Sequence, residues 1–164
     1  MDAEMNQKME SLLRREGIDL SELPQLNVPR LIELLNSGIH RHRELYVFNS
    51  NQPDREAIRR LGGTTGYEAT ENHIHMEDYI ASYPDPVELL RVGLSYAKAL
   101  FLRLKQQYPH TPFTVILGYS DGEHPSCVVR FVKHRKNDLW LGENLDNYRL
   151  EKVMRIKVNH STMS

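Results

Sequence analysis

The sequence predicts an α+β fold in which a mainly antiparallel sheet packs on one long helix, in two layers, with additional N-terminal helices. The first observation is an apolar stripe at helical spacing within residues 86–108. It comprises Leu90, Leu94, Ala97, Phe101, Leu104 and Tyr108. The second observation is that segments typical of strands follow this helix and are separated by short turns. They are residues 113–119, 127–135, 139–141 and 152–158. Short turns favour an antiparallel meander, and a helix on one face completes the two layers.

The long helix has clear start and stop signals. Asp85 can cap its N-terminus, Pro86 suits the first helical position, and Glu88 favours the positive end of the helix. Pro109 cannot continue the hydrogen-bond ladder and ends it. About 22 residues span roughly 33 Å. Since its apolar stripe must be buried, an aspartate at Leu94 is expected to unfold the domain.

Residues 1–70 are predicted to be a helical region, either separate from or packed on an α+β domain of residues 71–164. Its predicted helices are residues 3–16, 27–37 and 54–61, with one strand at 45–48. The basic run His40–Arg43 is either a solvated loop or an anion contact. Gly62–Gly66 is predicted to be a flexible connector, because phosphate-binding glycine loops run from a strand into a helix and this segment is predicted to run from a helix into a strand.

Composition narrows the class of protein. The 164 residues carry 21 basic and 22 acidic side chains, a balance that argues against a dedicated nucleic-acid binder. Cys127 is the single cysteine, which excludes an intrachain disulfide and a multi-cysteine zinc site. No apolar run approaches the roughly 20 residues that span a bilayer. A cytoplasmic protein that makes no membrane contact is the expectation.

One set of side chains resembles a metal site. His73, His75 and Glu77 alternate along a strand predicted at residues 72–80, and alternate residues share a face. Two imidazoles and a carboxylate suit zinc or iron. A metal-dependent enzyme or metal-binding protein is therefore one interpretation. The other is an exposed polar strand face with no cofactor.

Catalytic motifs are absent from the sequence: it has no Gly-x-Ser-x-Gly elbow, no phosphate-binding loop of the NTPase type and no kinase motif. A protein without catalytic activity is thus favoured over an enzyme. A regulatory contact with nucleic acid is a second alternative, through basic residues and aromatic residues that stack on bases. These residues are Arg41, Arg43, Lys133, Arg135 and Lys136, with Trp140 or Tyr119.

The C-terminal half, residues 77–157, resembles bacterial immunity proteins of polymorphic or contact-dependent toxin systems. The similarity lies in three stretches. They are Tyr83-Pro84-Asp85-Pro86, then Val129-Arg130-Phe131-x-Lys133-x-Arg135-x-x-Asp138-x-Trp140-Leu141, and finally Glu143-Asn144-Leu145-x-x-Tyr148. The resemblance implies a small cytoplasmic α+β protein that binds one toxin domain and blocks it without catalysis.

The leading hypothesis is therefore a non-enzymatic, cytoplasmic protein-binding module. Its interface is expected on the polar sheet face or on the loops at 121–124 and 136–143. Aromatic residues and arginine dominate binding hot spots. The predicted partner-binding residues are Tyr119, Arg135, Trp140 and Tyr148.

Overall fold

The computed structural model describes residues 1–80, 85–149 and 151–160. The helices within these ranges are α1 (Gln7–Arg15), α2 (Pro29–Ser37), α3 (Arg55–Arg60), α4 (Thr64–Glu71) and α5 (Pro86–Gln107). The strands within them are β1 (Asp2–Met5), β2 (His40–His42), β3 (Leu45–Val47), β4 (Ile74–His75), β5 (Phe113–Ser120), β6 (Ser126–Lys133) and β7 (Lys152–Val158). Tyr83 and Pro84, part of the turn predicted before the long helix, lie outside the described residues.

The main sheet has the order β1-β7-β5-β6-β4, and each neighbouring pair is antiparallel. The predicted α+β fold, an antiparallel sheet packed on the long helix, is confirmed. The predicted meander is wrong, because β7 pairs with β5 and not with β6. The strand predicted at 139–141 is a loop. In the sheet, β5 is paired on both of its sides, and β4 pairs with the other side of β6 at Val128 and Val129.

Helix α5 is continuous, as its sequence predicts. The Asp85 carboxylate accepts hydrogen bonds from the backbone N–H of Val87 at 2.9 Å and of Glu88 at 3.2 Å. The buried face is wider than the predicted stripe, since Leu89, Tyr96 and Leu100 are also fully buried. This face packs on the inner side of the sheet, which presents Phe113, Val115, Leu117, Val129, Phe131, Met154 and Ile156. Within the described ranges, none of the helices has the length and apolar character that a membrane span requires.

Gly93 lets α5 approach β6 closely. A Cβ atom added there would overlap the Sγ of Cys127 and lie 3.4 Å from Cδ1 of Leu117. We expect Gly93→Ala to lower the free energy of unfolding by about 1–3 kcal/mol through overpacking. This outweighs the gain in helix propensity, at most about 1 kcal/mol.

Urea denaturation checks this prediction, and Cys127→Ala provides the matched background. With the sulfur gone, the methyl group of Gly93→Ala has space, so the double variant should lose less stability than the two single losses combined. Strictly additive losses would show that the helix and β6 are not in tight contact at this position.

The N-terminal prediction is wrong in one respect. Residues 3–16 do not form a single helix, because the first residues add β1 to the free edge of β7. Asn6 ends β1 and starts α1. Its Oδ1 accepts from the backbone N–H of Met9 at 3.1 Å and of Val153 at 3.2 Å, while its Nδ2 donates to the Glu151 carbonyl at 2.8 Å. The N-terminal region thus contributes an edge strand to the main sheet.

Three predictions between residues 40 and 80 also need correction. His40–Arg43 is not a simple loop, since it forms β2 and the hairpin turn to β3. Gly62 and Gly63 have φ angles of +84° and +108° and lead into α4, so the segment runs from a turn into a helix. The strand predicted at 72–80 shortens to two residues because Met76 turns into the core in a 3-10 turn and is fully buried.

Candidate functional site

The face of the sheet opposite α5, the outer face, carries alternate residues of the three central strands. Cross-strand pairing places Ile116 beside Arg130 on one side and Arg155 on the other. Helix α4 covers part of this face, where Ala69 packs with Ile116 and Val132. The outer face is therefore neither bare nor fully polar, which the two-layer prediction did not anticipate.

The loop after β6 crosses the rest of the outer face and leaves a cavity of about 150 Å³, the Trp140 cleft. It is lined by Ile116, Gly118, Tyr119, Ser120, Ser126, Val128, Arg130, Trp140, Leu141, Glu151 and Val153. The space exists partly because Gly118 lacks a side chain at the centre of the sheet. A Cβ atom there would meet only the Glu151 carboxylate, at 3.8 Å.

The Trp140 cleft contains two charged side chains, Arg130 and Glu151, and Arg130 is the one that lies against the Trp140 ring. Its guanidinium carbon lies 5.3 Å from the centroid of the Trp140 ring, and its Nη1 donates to the Ala69 carbonyl at 3.1 Å. Burial lowers the pKa of Arg130, and the nearby Glu151 carboxylate opposes this effect. The arrangement is a half-buried cation stacked on an aromatic ring, with donors left over for an anionic or carbonyl group.

Leu139 and Trp140 are adjacent, and their side chains are 42% and 41% exposed. The loop that presents them is held at both ends. The Thr65 hydroxyl donates to the Asp138 carbonyl at 3.2 Å. On the other side, the Gly142 N–H donates to the Tyr148 hydroxyl at 2.9 Å. Two large apolar side chains are thus displayed on a loop with a fixed backbone.

A family model matches residues 4–164 of this chain. The chain belongs to the Uncharacterized protein PM0498 family. Comparison with curated proteins and with solved structures yields no match. The match covers almost the whole chain, including the Trp140 cleft and the loop above it, so both features lie within the region that matches the family model.

The four predicted partner-binding residues have different roles in this PM0498 family member. Trp140 is 41% exposed, so part of its ring is accessible to a partner. Tyr119 is 2% exposed, and its hydroxyl donates to the Pro86 carbonyl at 2.9 Å. Burial raises the pKa of Tyr119 to about 12. Tyr119 therefore holds α5 on the sheet, and Tyr148 positions the loop through Gly142.

Arg135 is occupied within the fold. Its Nη1 and Nη2 donate to the two carboxylate oxygens of Glu68, at 3.0 Å and 2.8 Å. The Glu68 carboxylate also accepts from the backbone N–H of Lys133 at 2.7 Å and of Tyr46 at 3.1 Å. Glu68 is fully buried. Arg135 therefore supplies the counter-charge of a buried carboxylate and stabilises the fold.

The predicted metal ligands are close together but are engaged with other groups. Nδ1 of His75 lies 3.1 Å from Oε1 of Glu77, and Nδ1 of His73 contacts the Thr70 carbonyl. Glu77 also accepts from the Ser126 hydroxyl at 2.7 Å. Burial alone would raise the pKa of Glu77, but its hydrogen bonds lower the pKa overall. Among the residues that the structure describes, no group of three or more histidine, cysteine, aspartate or glutamate side chains could hold a metal ion.

Sequence reasoning missed the two residues with the most consequential environments. Arg130 carries a weak signal, since it alternates with buried Val129 and Phe131 and so had to lie on the outer face. Its proximity to Trp140 depends on how the loop folds back. Glu68 carries no local signal, because its partners Tyr46, Lys133 and Arg135 are distant in sequence.

Proposed function

We propose that this protein is a non-enzymatic binding protein and that its protein partner contacts the exposed Leu139–Trp140 pair. The observation that carries the proposal is the exposure of both side chains, above 40% each, on a loop anchored by hydrogen bonds at both ends. Exposed apolar residues on a fixed backbone lose little conformational entropy when a partner covers them.

The groups around Trp140 also suit an interface. Arg130 lies against the ring and retains hydrogen-bond donors, and arginine and tryptophan are the side chains most enriched in hot spots. An acidic or carbonyl group of the partner, seated in the Trp140 cleft, would contact Arg130 while apolar groups cover Trp140. The cleft then supplies specificity and the apolar pair supplies most of the buried area.

The partner that we propose is a toxin domain, blocked in the bacterial cytoplasm by this protein acting as an immunity protein. Two of the three stretches that carry the sequence resemblance lie within residues 129–148, which form most of β6 and the loop above the Trp140 cleft. Cys127 is a poor candidate nucleophile, since it is fully buried and burial raises the pKa of its thiol.

Trp140→Ala is expected to weaken partner binding at least tenfold while the protein remains folded. The partner is first identified by cross-linking in the source cells, and its affinity for each purified variant is then measured by calorimetry. Leu102→Ala is the matched control, because Leu102 is 54% exposed on α5, a helix packed on the opposite face of the sheet. Equal affinity for wild type, Leu139→Ala and Trp140→Ala would reject the proposed surface. Protection of cells from the partner would support the immunity role, and its absence would leave only a binding role.

Two alternatives remain predictions. A metal-dependent function would use His73, His75 and Glu77, and metal analysis of untagged protein tests it: stoichiometric zinc or iron, lost in His75→Ala, would favour it over the binding role. A contact with nucleic acid through the basic residues would show a steep dependence on salt concentration.

A further inference from the structure

The hairpin of β2 and β3, the segment before α3 and the first residue of α4 enclose a second cavity, of about 260 Å³. We call it the Arg43–Arg55 pocket. It is lined by His42, Arg43, Glu44, Leu45, Gln52, Pro53, Arg55, Ile58 and Thr64. The pocket brings together residues of the basic run His40–Arg43 and of the segment Gly62–Gly66, which lie about 20 residues apart in the sequence.

The charges of this pocket are predominantly positive. Arg43 and Arg55 are both exposed, and neither side chain has a hydrogen bond or an ion pair with any residue in the described ranges. The one acidic lining residue, Glu44, is engaged by Lys133, whose Nζ lies 3.0 Å from its carboxylate. The Lys133 ammonium lowers the pKa of Glu44, so this carboxylate is ionised and already neutralised by another group. Two guanidinium groups thus line one cavity without a counter-ion.

The backbone presents Arg43 in an uncommon conformation. Its φ angle is +57°, in the left-handed region that glycine and asparagine favour in two-residue hairpin turns. The register of the hairpin, with His42 opposite Leu45, requires this tight turn. An arginine here has no packing role that would explain it, since the side chain is exposed and unpartnered. Residues held in such conformations concentrate at binding sites.

The lining also determines which anion fits. Two arginines can balance a dianion, whereas a carboxylate would neutralise one of their two charges only. Arginine pairs with phosphate oxygens in a bidentate geometry. Pro53, Ile58 and Leu45 supply an apolar wall for an organic group. Thr64 adds the start of α4, which has no side-chain cap and whose backbone N–H groups favour negative charge.

We propose that the Arg43–Arg55 pocket binds the phosphate group of a small phosphorylated molecule. Small-molecule sites usually have volumes of about 300–1,000 Å³. The Arg43–Arg55 pocket is slightly smaller than this range, so its ligand is expected to be a phosphate monoester with a compact organic group. This site is separate from the Trp140 surface and does not depend on the proposed protein partner.

Calorimetry at constant ionic strength tests the proposal, with inorganic phosphate, phenyl phosphate and sulfate as probes. Phenyl phosphate should bind saturably and more tightly than inorganic phosphate, and more tightly than sulfate. Arg43→Ala and Arg55→Ala should each weaken phenyl phosphate binding at least tenfold. Arg60→Ala is the matched control, an exposed arginine on the same helix that does not line the pocket, and should change nothing.

Far-UV circular dichroism and thermal unfolding serve as the folding control, and both variants should be folded because the substituted side chains are exposed. No saturable binding of phenyl phosphate to the wild type would overturn the proposal. Equal affinity of wild type, Arg43→Ala and Arg55→Ala would overturn it too, because binding would then lie elsewhere. A single-stranded oligonucleotide completes the set: tight, salt-sensitive binding of the oligonucleotide without binding of phenyl phosphate would replace the small-molecule site by a nucleic-acid contact.

Discussion

Replacing Arg135 by alanine is expected to lower the free energy of unfolding by about 3–5 kcal/mol at neutral pH. The reason is that the substitution leaves the Glu68 carboxylate buried without its counter-charge. Glu68 is fully buried, and Arg135 supplies two of its four hydrogen bonds together with the balancing charge. Removing one partner of a buried pair leaves an uncompensated charge, which costs more than the pair contributes. Urea denaturation of the two proteins measures the difference.

Lys133→Ala is the matched control for Arg135→Ala. It removes a neighbouring cation whose partner, Glu44, is largely exposed, but it keeps the Lys133 backbone N–H that donates to Glu68. Exposed ion pairs contribute little, so this variant should lose far less stability than Arg135→Ala. Similar losses in the two variants would show that the Glu68 carboxylate is not the source of the effect.

The stability difference should depend on pH. Burial raises the pKa of Glu68 above its ordinary value of 4.5, and the hydrogen bonds from Arg135 oppose this rise. A raised folded-state pKa contributes stability that is fully present below 4.5 and is lost as the pH rises through the folded value. Without Arg135 the pKa of Glu68 rises further, and the loss of stability at neutral pH is larger. The cost of Arg135→Ala should therefore shrink on acidification towards the ordinary carboxylate range.

Glu68→Gln tests the cause of that pH dependence. With a neutral side chain at this position, a further Arg135→Ala substitution should cost less, and its cost should not change over the same pH range. A cost of Arg135→Ala that stays constant or grows at acid pH in the wild-type background would show that the buried carboxylate is not responsible.

Leu94→Asp is expected to abolish cooperative folding. Leu94 is 1% exposed at the centre of the α5 face, between the helix and the sheet. The substitution removes an apolar side chain whose burial stabilises the fold by about 1.5–3 kcal/mol, and it places a carboxylate in the core. Desolvation of the unpaired carboxylate costs several kcal/mol more. The total loss is comparable to the whole free energy of unfolding of a domain of this size. Far-UV circular dichroism and the absence of a thermal transition would show the loss.

Leu102→Asp makes the same chemical change on the same helix. Leu102 is 54% exposed, so this variant should fold and melt close to the wild type. The pair separates burial from helix propensity, which the two substitutions alter equally. A folded Leu94→Asp variant, or unfolding of both variants, would show that the helix face is assigned wrongly. Phe101 is half-buried, so an aspartate there should cost less stability than an aspartate at Leu94.

Several structural features of this chain can be read from the sequence because their causes are local. Asp85 and Pro86 specify where α5 begins through groups within three residues, and the stripe through Leu94 specifies its buried side. Alternation along β6 correctly predicts that Val129 and Phe131 face the core. These inferences hold because helix and strand periodicity repeat over a few residues, whatever the chain does elsewhere.

The candidate site depends on contacts between distant residues, and local reasoning about it was less successful. Trp140 was predicted to bind a partner, which stays a prediction, and its proximity to Arg130 depends on a loop that folds back over the sheet. Tyr119 and Arg135 look like contact residues in the sequence and are instead engaged inside the fold. Arg135 pairs with Glu68, which lies 67 positions away, so the local sequence does not reveal that its guanidinium is already engaged.

By itself, the sequence determined the α+β class, the bounds of the long helix and the inward faces of the C-terminal strands. The tertiary structure alone decided that β1 joins β7, that β5 occupies the centre of the sheet, and that α4 covers the outer face and buries Glu68. The physical reason is that a strand's backbone can pair with any free edge. The choice of edge follows from the packing of the whole chain, whereas alternation within a strand encodes only which side faces the core.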